Sequence, residues 1–295
     1  LMFEKDSVIT TENSGAIVNT GSEVGNGIYA LSLDGHLDIS NLPMSTKGAS
    51  YYLQEVKTLD GCVLDTAQYD AVFKQSDFTT KNYIKSFDVE NKTTDFEFNK
   101  TDVTGDKEVE GAQLTITDED GNVVDQWTSD GKVHSIEGLV VGKTYTLSET
   151  VTAKDYVKAT DIKFTVKNSS ELEKVTMKDK QVFVSKTTVG GEEVTGAHMQ
   201  IIDEDGNIID EWYSEGKSHI ANGLEEGKTY TLHEDLSPLG FNLANDFTFE
   251  VTKEKENQTV EMVDTVTEVN KTDVDGKAVK EATLSICLLY TSDAA

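Results

Sequence analysis

Apolar and polar residues alternate along most of this chain in short runs. Phe96-Glu97-Phe98, Leu114-Thr115-Ile116-Thr117, Tyr145-Thr146-Leu147, Ile162-Lys163-Phe164-Thr165-Val166 and Val175-Thr176-Met177 each carry the two-residue period of a half-buried strand. Asp-Gly-Asn at 120–122 and again at 205–207 falls between two such runs, where a hairpin turn belongs. No segment carries a helical stripe, and Pro43 and Pro238 are the only prolines. Short strands with turn signals at this spacing predict an all-β fold of sandwich type.

The pattern repeats. Residues 111–149 and 196–234 align without a gap and are identical at 23 of 39 positions. Lys100, Lys186 and Lys271 lie 86 and then 85 residues apart, and Glu149–Glu234 and Asp179–Asp264 are both 85 apart. A period this long makes each repeat a whole small domain, so the expected architecture is tandem β-sandwich domains arranged end to end. The boundaries expected are a divergent unit at 1–95, complete units at 96–181 and 182–266, and the start of a further unit at 267–286. Residues 287–295 leave the pattern and are expected to be a non-native tail. In the first unit Tyr51–Glu55 matches Tyr145–Glu149, and Phe87–Asn91 reads as the closing strand. Aligning residues 1–6 with 114–119 places that unit's opening strand, and its lysine, before residue 1. Lys186 follows Asp179 by seven positions and Lys271 follows Asp264 by seven, so the units abut, as in a stiff rod.

Read with the strand period, the apolar faces carry ionisable groups. Phe96, Phe98 and Lys100 share a face, as do Val182, Val184 and Lys186; Thr267, Val269 and Lys271 follow the same register. Tyr145, Leu147 and Glu149 align, as do Tyr230, Leu232 and Glu234, and Tyr51, Leu53 and Glu55. On closing strands Val175, Met177 and Asp179 align, as do Val260, Met262 and Asp264, and Phe87, Val89 and Asn91. Each complete unit thus points a lysine, a glutamate and an aspartate into its core. Burial disfavours the charged form of an amine and of a carboxyl alike. A neutral amine can attack a carbonyl that a protonated glutamic acid polarises, losing water from Asp or ammonia from Asn. An ordinary buried salt bridge is the other reading of one such pair; recurrence of all three groups in two units favours the covalent one.

These motifs, VSKTTVGGEEVTGA, the YTLxE box and the closing VxMxD strand, resemble the Cna B-type or SpaA-like prealbumin domains of Gram-positive surface proteins and pilins. The resemblance implies a prealbumin-like fold and an autocatalytic isopeptide bond between an opening-strand lysine and a closing-strand Asp or Asn, promoted by a middle-strand glutamate. It pairs Lys100 with Asp179 beside Glu149, and Lys186 with Asp264 beside Glu234. The first unit keeps Glu55 and Asn91, and the further unit keeps Lys271. It also implies a structural stalk of a cell-wall adhesin or pilin, extracellular, with a sortase anchor outside these residues.

Composition narrows the partners. The formal net charge of −28 argues against nucleic acid and anionic membrane. No stretch approaches the roughly 18 apolar residues of a membrane span. Cys62 and Cys287 are the only cysteines and give no disulfide framework. Asp118–Asn122 and Asp203–Asn207 resemble part of a calcium loop but lack its distal glutamate, so they read as turns. His134 and His219 look like turn-flanking residues without metal-ligand spacing, and Trp127 and Trp212 like packing residues. No cofactor, metal or turnover site is implied, so an enzyme is not expected. The alternative function is a module binding a host matrix protein or glycan, through the divergent first unit.

Overall fold

The computed structural model describes residues 7–80 and 84–285. The first unit contains β1 (Ile17–Thr20), β2 (Ser22–Gly25), β3 (Ile28–Ala30), β4 (Asp38–Ser40), β5 (Gly48–Gln54) and β6 (Gln68–Lys74). They pair as three separate two-stranded sheets, β1-β4, β2-β3 and β5-β6. Two short helices, Thr11–Ser14 and Gln75–Thr80, flank them.

The second unit has β7 (Asp95–Asp102), β8 (Glu110–Thr117), β9 (Val123–Asp130), β10 (His134–Glu137), β11 (Thr144–Val151), β12 (Ile162–Thr165) and β13 (Glu173–Asp179). The third has β14 (Val182–Thr188), β15 (Thr195–Ile202), β16 (Ile208–Glu215), β17 (His219–Ile220), β18 (Thr229–Leu236), β19 (Phe247–Glu250) and β20 (Gln258–Asp264). Each is a sandwich of a three-stranded sheet (β10-β7-β13, β17-β14-β20) on a four-stranded one (β12-β11-β8-β9, β16-β15-β18-β19). The alternation read from the sequence is the burial pattern observed: Phe96 and Phe98 of β7, Leu114 and Ile116 of β8 and Leu147 of β11 are all buried in one core. At roughly 1.5–3 kcal/mol per large apolar side chain, this interdigitated layer is what holds the two sheets together.

The opening and closing strands of each sandwich run parallel. Lys100 stands opposite Met177 and Asp102 opposite Asp179; Lys186 stands opposite Met262 and Thr188 opposite Asp264. The chain therefore enters at one end of the sandwich and leaves at the other, on adjacent strands.

Three expectations are corrected. Phe87–Asn91 forms no strand, and Phe87 and Val89 are exposed. In the complete units the closing strand has only the opening strand as a ladder neighbour, and among the described residues 84–92 have no such neighbour. Leu53 is exposed likewise, although Ala71 and Phe73 of the neighbouring β6 are buried. Thr267, Val269 and Lys271 do not lie on a strand; the segment 265–285 is exposed and carries one bridge, Thr272–Ala278. Its local turn is nonetheless that of the complete units: Val279 N–H donates to Lys271 O at 2.9 Å, as Val109 does to Lys100 and Val194 to Lys186. Residues 1–6, Ile286, Cys287 and the 287–295 tail lie outside the described residues.

Candidate functional site

Two strands of one sheet and one of the other build the site. β7 supplies Lys100, its parallel neighbour β13 supplies Asp179, and β11 supplies Glu149 from the facing sheet. Because Lys100 lies two positions behind Asp179 in the ladder, its long side chain reaches along the strand direction to the carboxyl. The Lys100 Nζ donates to Asp179 Oδ1 and stands 3.1 Å from Glu149 Oε1. In the third unit Lys186 Nζ donates to Asp264 Oδ1 and stands 3.0 Å from Glu234 Oε1. Exposure of all six residues is 2% or less.

With every group ionised, each site would hold one excess negative charge out of water, a state a protein interior resists by taking up a proton. Burial pushes the Asp179 carboxyl up to about 7, with Lys100 opposing and the Glu149 charge adding. Asp264 is raised for the same reason, burial first, against its hydrogen bond from Lys186. Glu149 Oε1 and Asp179 Oδ2, like Glu234 Oε1 and Asp264 Oδ2, are buried without a hydrogen-bond partner among the described residues. Asp179 Oδ2 and Asp264 Oδ2, on the carboxyls raised by burial, are the oxygens left to carry that proton.

The glutamates are oriented by a contact the sequence reading missed. Ala159 N–H donates to Glu149 Oε2 at 2.9 Å and Ala244 N–H to Glu234 Oε2 at 2.6 Å. Asp65 N–H donates to Glu55 Oε2 at 2.7 Å. The donor is ten residues beyond the glutamate every time, so the constant spacing was the available signal. With one oxygen fixed by this bond, the other faces the lysine.

The first unit brings Glu55 and Asn91 together: Asn91 Nδ2 lies 2.8 Å from Glu55 Oε1. Both are half-buried, and no lysine among the described residues forms an ion pair with Glu55. Lys271 is exposed and meets neither partner group.

The acidic turns are hairpins. Asp118 Oδ1 accepts from Asn122 N–H at 2.8 Å and Asp203 Oδ1 from Asn207 N–H at 2.8 Å. The Asn122 side chain holds the Asp118 carboxyl below its usual pKa. Trp127 packs against the second core and stacks on His134 at 4.1 Å, while His134 Nε2 lies 2.7 Å from Asp125 Oδ2. Trp212, His219 and Asp210 repeat the arrangement at 4.1 and 2.8 Å. Both histidines thus bridge the two sheets.

The family model of the SpaA prealbumin-like fold domain matches twice in tandem, over residues 94–181 and 180–266. This chain belongs to that family. The SpaA-type chain is also similar to solved structures. It is 21% identical to the Bacillus anthracis TIE protein, covering 80% of this chain and 45% of that one, with a TM-score of 0.34. It is 15% identical to the shaft pilin SpaA of Lactobacillus rhamnosus GG, covering 60% of this chain and 98% of that one, with a TM-score of 0.30. A streptococcal ancillary pilin is 17% identical over 80% of each chain, with a TM-score of 0.30. The chain spans less than half the length of the TIE protein. No curated protein matches it.

Proposed function

We propose that each complete unit locks itself with a Lys–Asp amide, Lys100 to Asp179 and Lys186 to Asp264, and that the chain is a load-bearing stretch of a bacterial cell-surface stalk. The observation that carries this reading is the lysine Nζ held against an aspartate oxygen and a glutamate oxygen at once, in both units, away from water. The Lys100 Nζ lone pair adds to Asp179 Cγ. The Glu149 carboxyl protonates the departing hydroxyl and receives a proton from the nitrogen, so one water leaves and Glu149 ends as it began. The amide replaces an ammonium and a carboxylate with an uncharged group, which removes the cost of holding both out of water. Glu149 and Glu234 each act once per molecule; there is no turnover.

The first unit carries the acceptor half of the same chemistry, Glu55 with Asn91, for which ammonia would be the leaving group. A location outside the cell, with a sortase-made link to the wall, belongs to the same reading. A chain stapled by amides needs no disulfides, which suits the single described cysteine, Cys62.

Peptide mapping tests the assignment. A digest of the whole chain is expected to yield a branched peptide joining the segment around Lys100 to that around Asp179, and a second joining Lys186 to Asp264. In Glu149→Gln the first should be replaced by two linear peptides while the second remains. Linear peptides alone from folded wild-type protein would remove the proposal.

A further inference from the structure

The segment 152–161, between β11 and β12, does two things at once. Its Ala159 N–H fixes Glu149, and the residues around Ala159 are fixed by the third unit. Lys158 N–H donates to Leu224 O at 2.9 Å, and Glu226 N–H donates to Lys158 O at 3.1 Å. Thr160 donates to Glu226 Oε2 through its N–H at 3.0 Å and its Oγ1 at 3.1 Å. Val157 is fully buried in the third unit's core, among Val182, Leu224 and Val251. The Glu226 side chain is itself buried and anchored by Lys255 Nζ at 2.7 Å. Both neighbours of the Ala159 donor are therefore clamped to another unit, on the strand-like segment that ends at Glu226.

The joint between the first and second units follows the same plan. Leu64, the residue before the Asp65 donor, exchanges hydrogen bonds with Asn168 of the second unit at 2.8 and 3.1 Å. The third unit's own loop keeps the backbone bond, Asn242 N–H donating to Thr265 O at 2.9 Å as Val157 N–H does to Lys180 O at 2.9 Å, but places Asn242 where Val157 enters the next core. Leu239 and Leu243 of that loop are exposed.

Taking the Lys–Asp amide as given, we infer that the third unit completes the reactive site of the second: docking of residues 157–160 onto Leu224–Glu226 aims the Ala159 N–H and, through it, the Glu149 carboxyl. Glu226 and Val157 are positioning residues for a bond that forms in another unit. The Lys100–Asp179 amide then closes only after the third unit has folded, although the second unit is synthesised first. A free, mobile 157–160 segment leaves Glu149 without its aiming donor, and a misplacement of about 1 Å in such a group slows a reaction by up to about a hundredfold.

Cell-free synthesis of the full chain, sampled over time and digested, reads the two bonds separately. In Glu226→Ala the Lys100–Asp179 amide is expected to form about tenfold or more slowly, while Lys186–Asp264, in the unit that carries the substitution, keeps its wild-type rate. Glu226→Gln, which retains an acceptor oxygen for Thr160, should restore most of the lost rate, and Val157→Ala should reproduce the selective slowing. Equal rates in all variants would overturn the coupling and leave the amides standing. Slowing of both bonds together would overturn it too, since the substitution would then act on folding of the third unit. Absence of both amides in the wild type would remove the chemistry itself.

Discussion

Stretched between its ends, the wild-type chain is expected to keep its second and third units closed at forces that fully extend Lys100→Ala or Lys186→Ala variants. The chain enters the second unit on β7 and leaves on β13, and those strands are parallel neighbours. Tension without an amide therefore shears one ladder of hydrogen bonds. With the amide, the load passes from β7 through the Lys100 side chain to Asp179 and out, bypassing a sequence separation of 79. At about 3.5 Å per extended residue, unlocking that segment releases about 280 Å of contour. The third unit shields a separation of 78 in the same way. Because removing the lysine leaves two buried carboxyls without their cation, Glu149→Gln and Glu234→Gln serve as companion variants: each keeps the lysine and should lose the lock. Equal unfolding force and equal released length in wild type and variants would show that no covalent path bears the load.

Thermal stability should change nearly as much. A link closing a loop of this size restricts the unfolded chain by about 4.5 kcal/mol on the loop-entropy model, comparable with the whole net stability of many small domains. For a unit of under a hundred residues this corresponds to roughly 20–30 °C in Tm. Calorimetry of Glu149→Gln is expected to show one transition moved down by about that amount and the other in place, with Glu234→Gln moving the other. A shift of only a few degrees for both would place the stability in the core and the ion pairs, not in a cross-link.

The sandwiches and their buried Lys–Glu–Asp triads were legible because strand period marks which side chains face inward, and Lys100, Glu149 and Asp179 each continue an apolar face. Repetition did the rest, since an 85-residue interval ties Glu149 to Glu234 and Asp179 to Asp264. Period reports burial, however, and says nothing about ladder neighbours. Phe87–Asn91 alternates as cleanly as Val175–Asp179, yet among the described residues only the latter has an opening strand beside it. Residues 152–161 were opaque for a different reason. They form no regular element within their own unit, and Val157 is apolar for a core that belongs to the next one. Asp155 adopts a left-handed conformation at φ 68°, matching Gly61 and Gly240 six residues beyond their glutamates. An aspartate tolerates that region better than most residues but does not announce it. Lys180, just past the closing strand, is fully buried, with its Nζ donating to Thr252 Oγ1 at 2.9 Å in the third unit.

The intact mass of the folded 295-residue chain tests the cross-links most directly. Two Lys–Asp amides predict a mass short of the sequence by two waters, one regained in Glu149→Gln, one in Glu234→Gln and both in the double variant, after allowance for the substitutions. A wild-type mass equal to that of the sequence, in protein shown to be folded, would contradict them and leave two buried salt bridges in place of the locks.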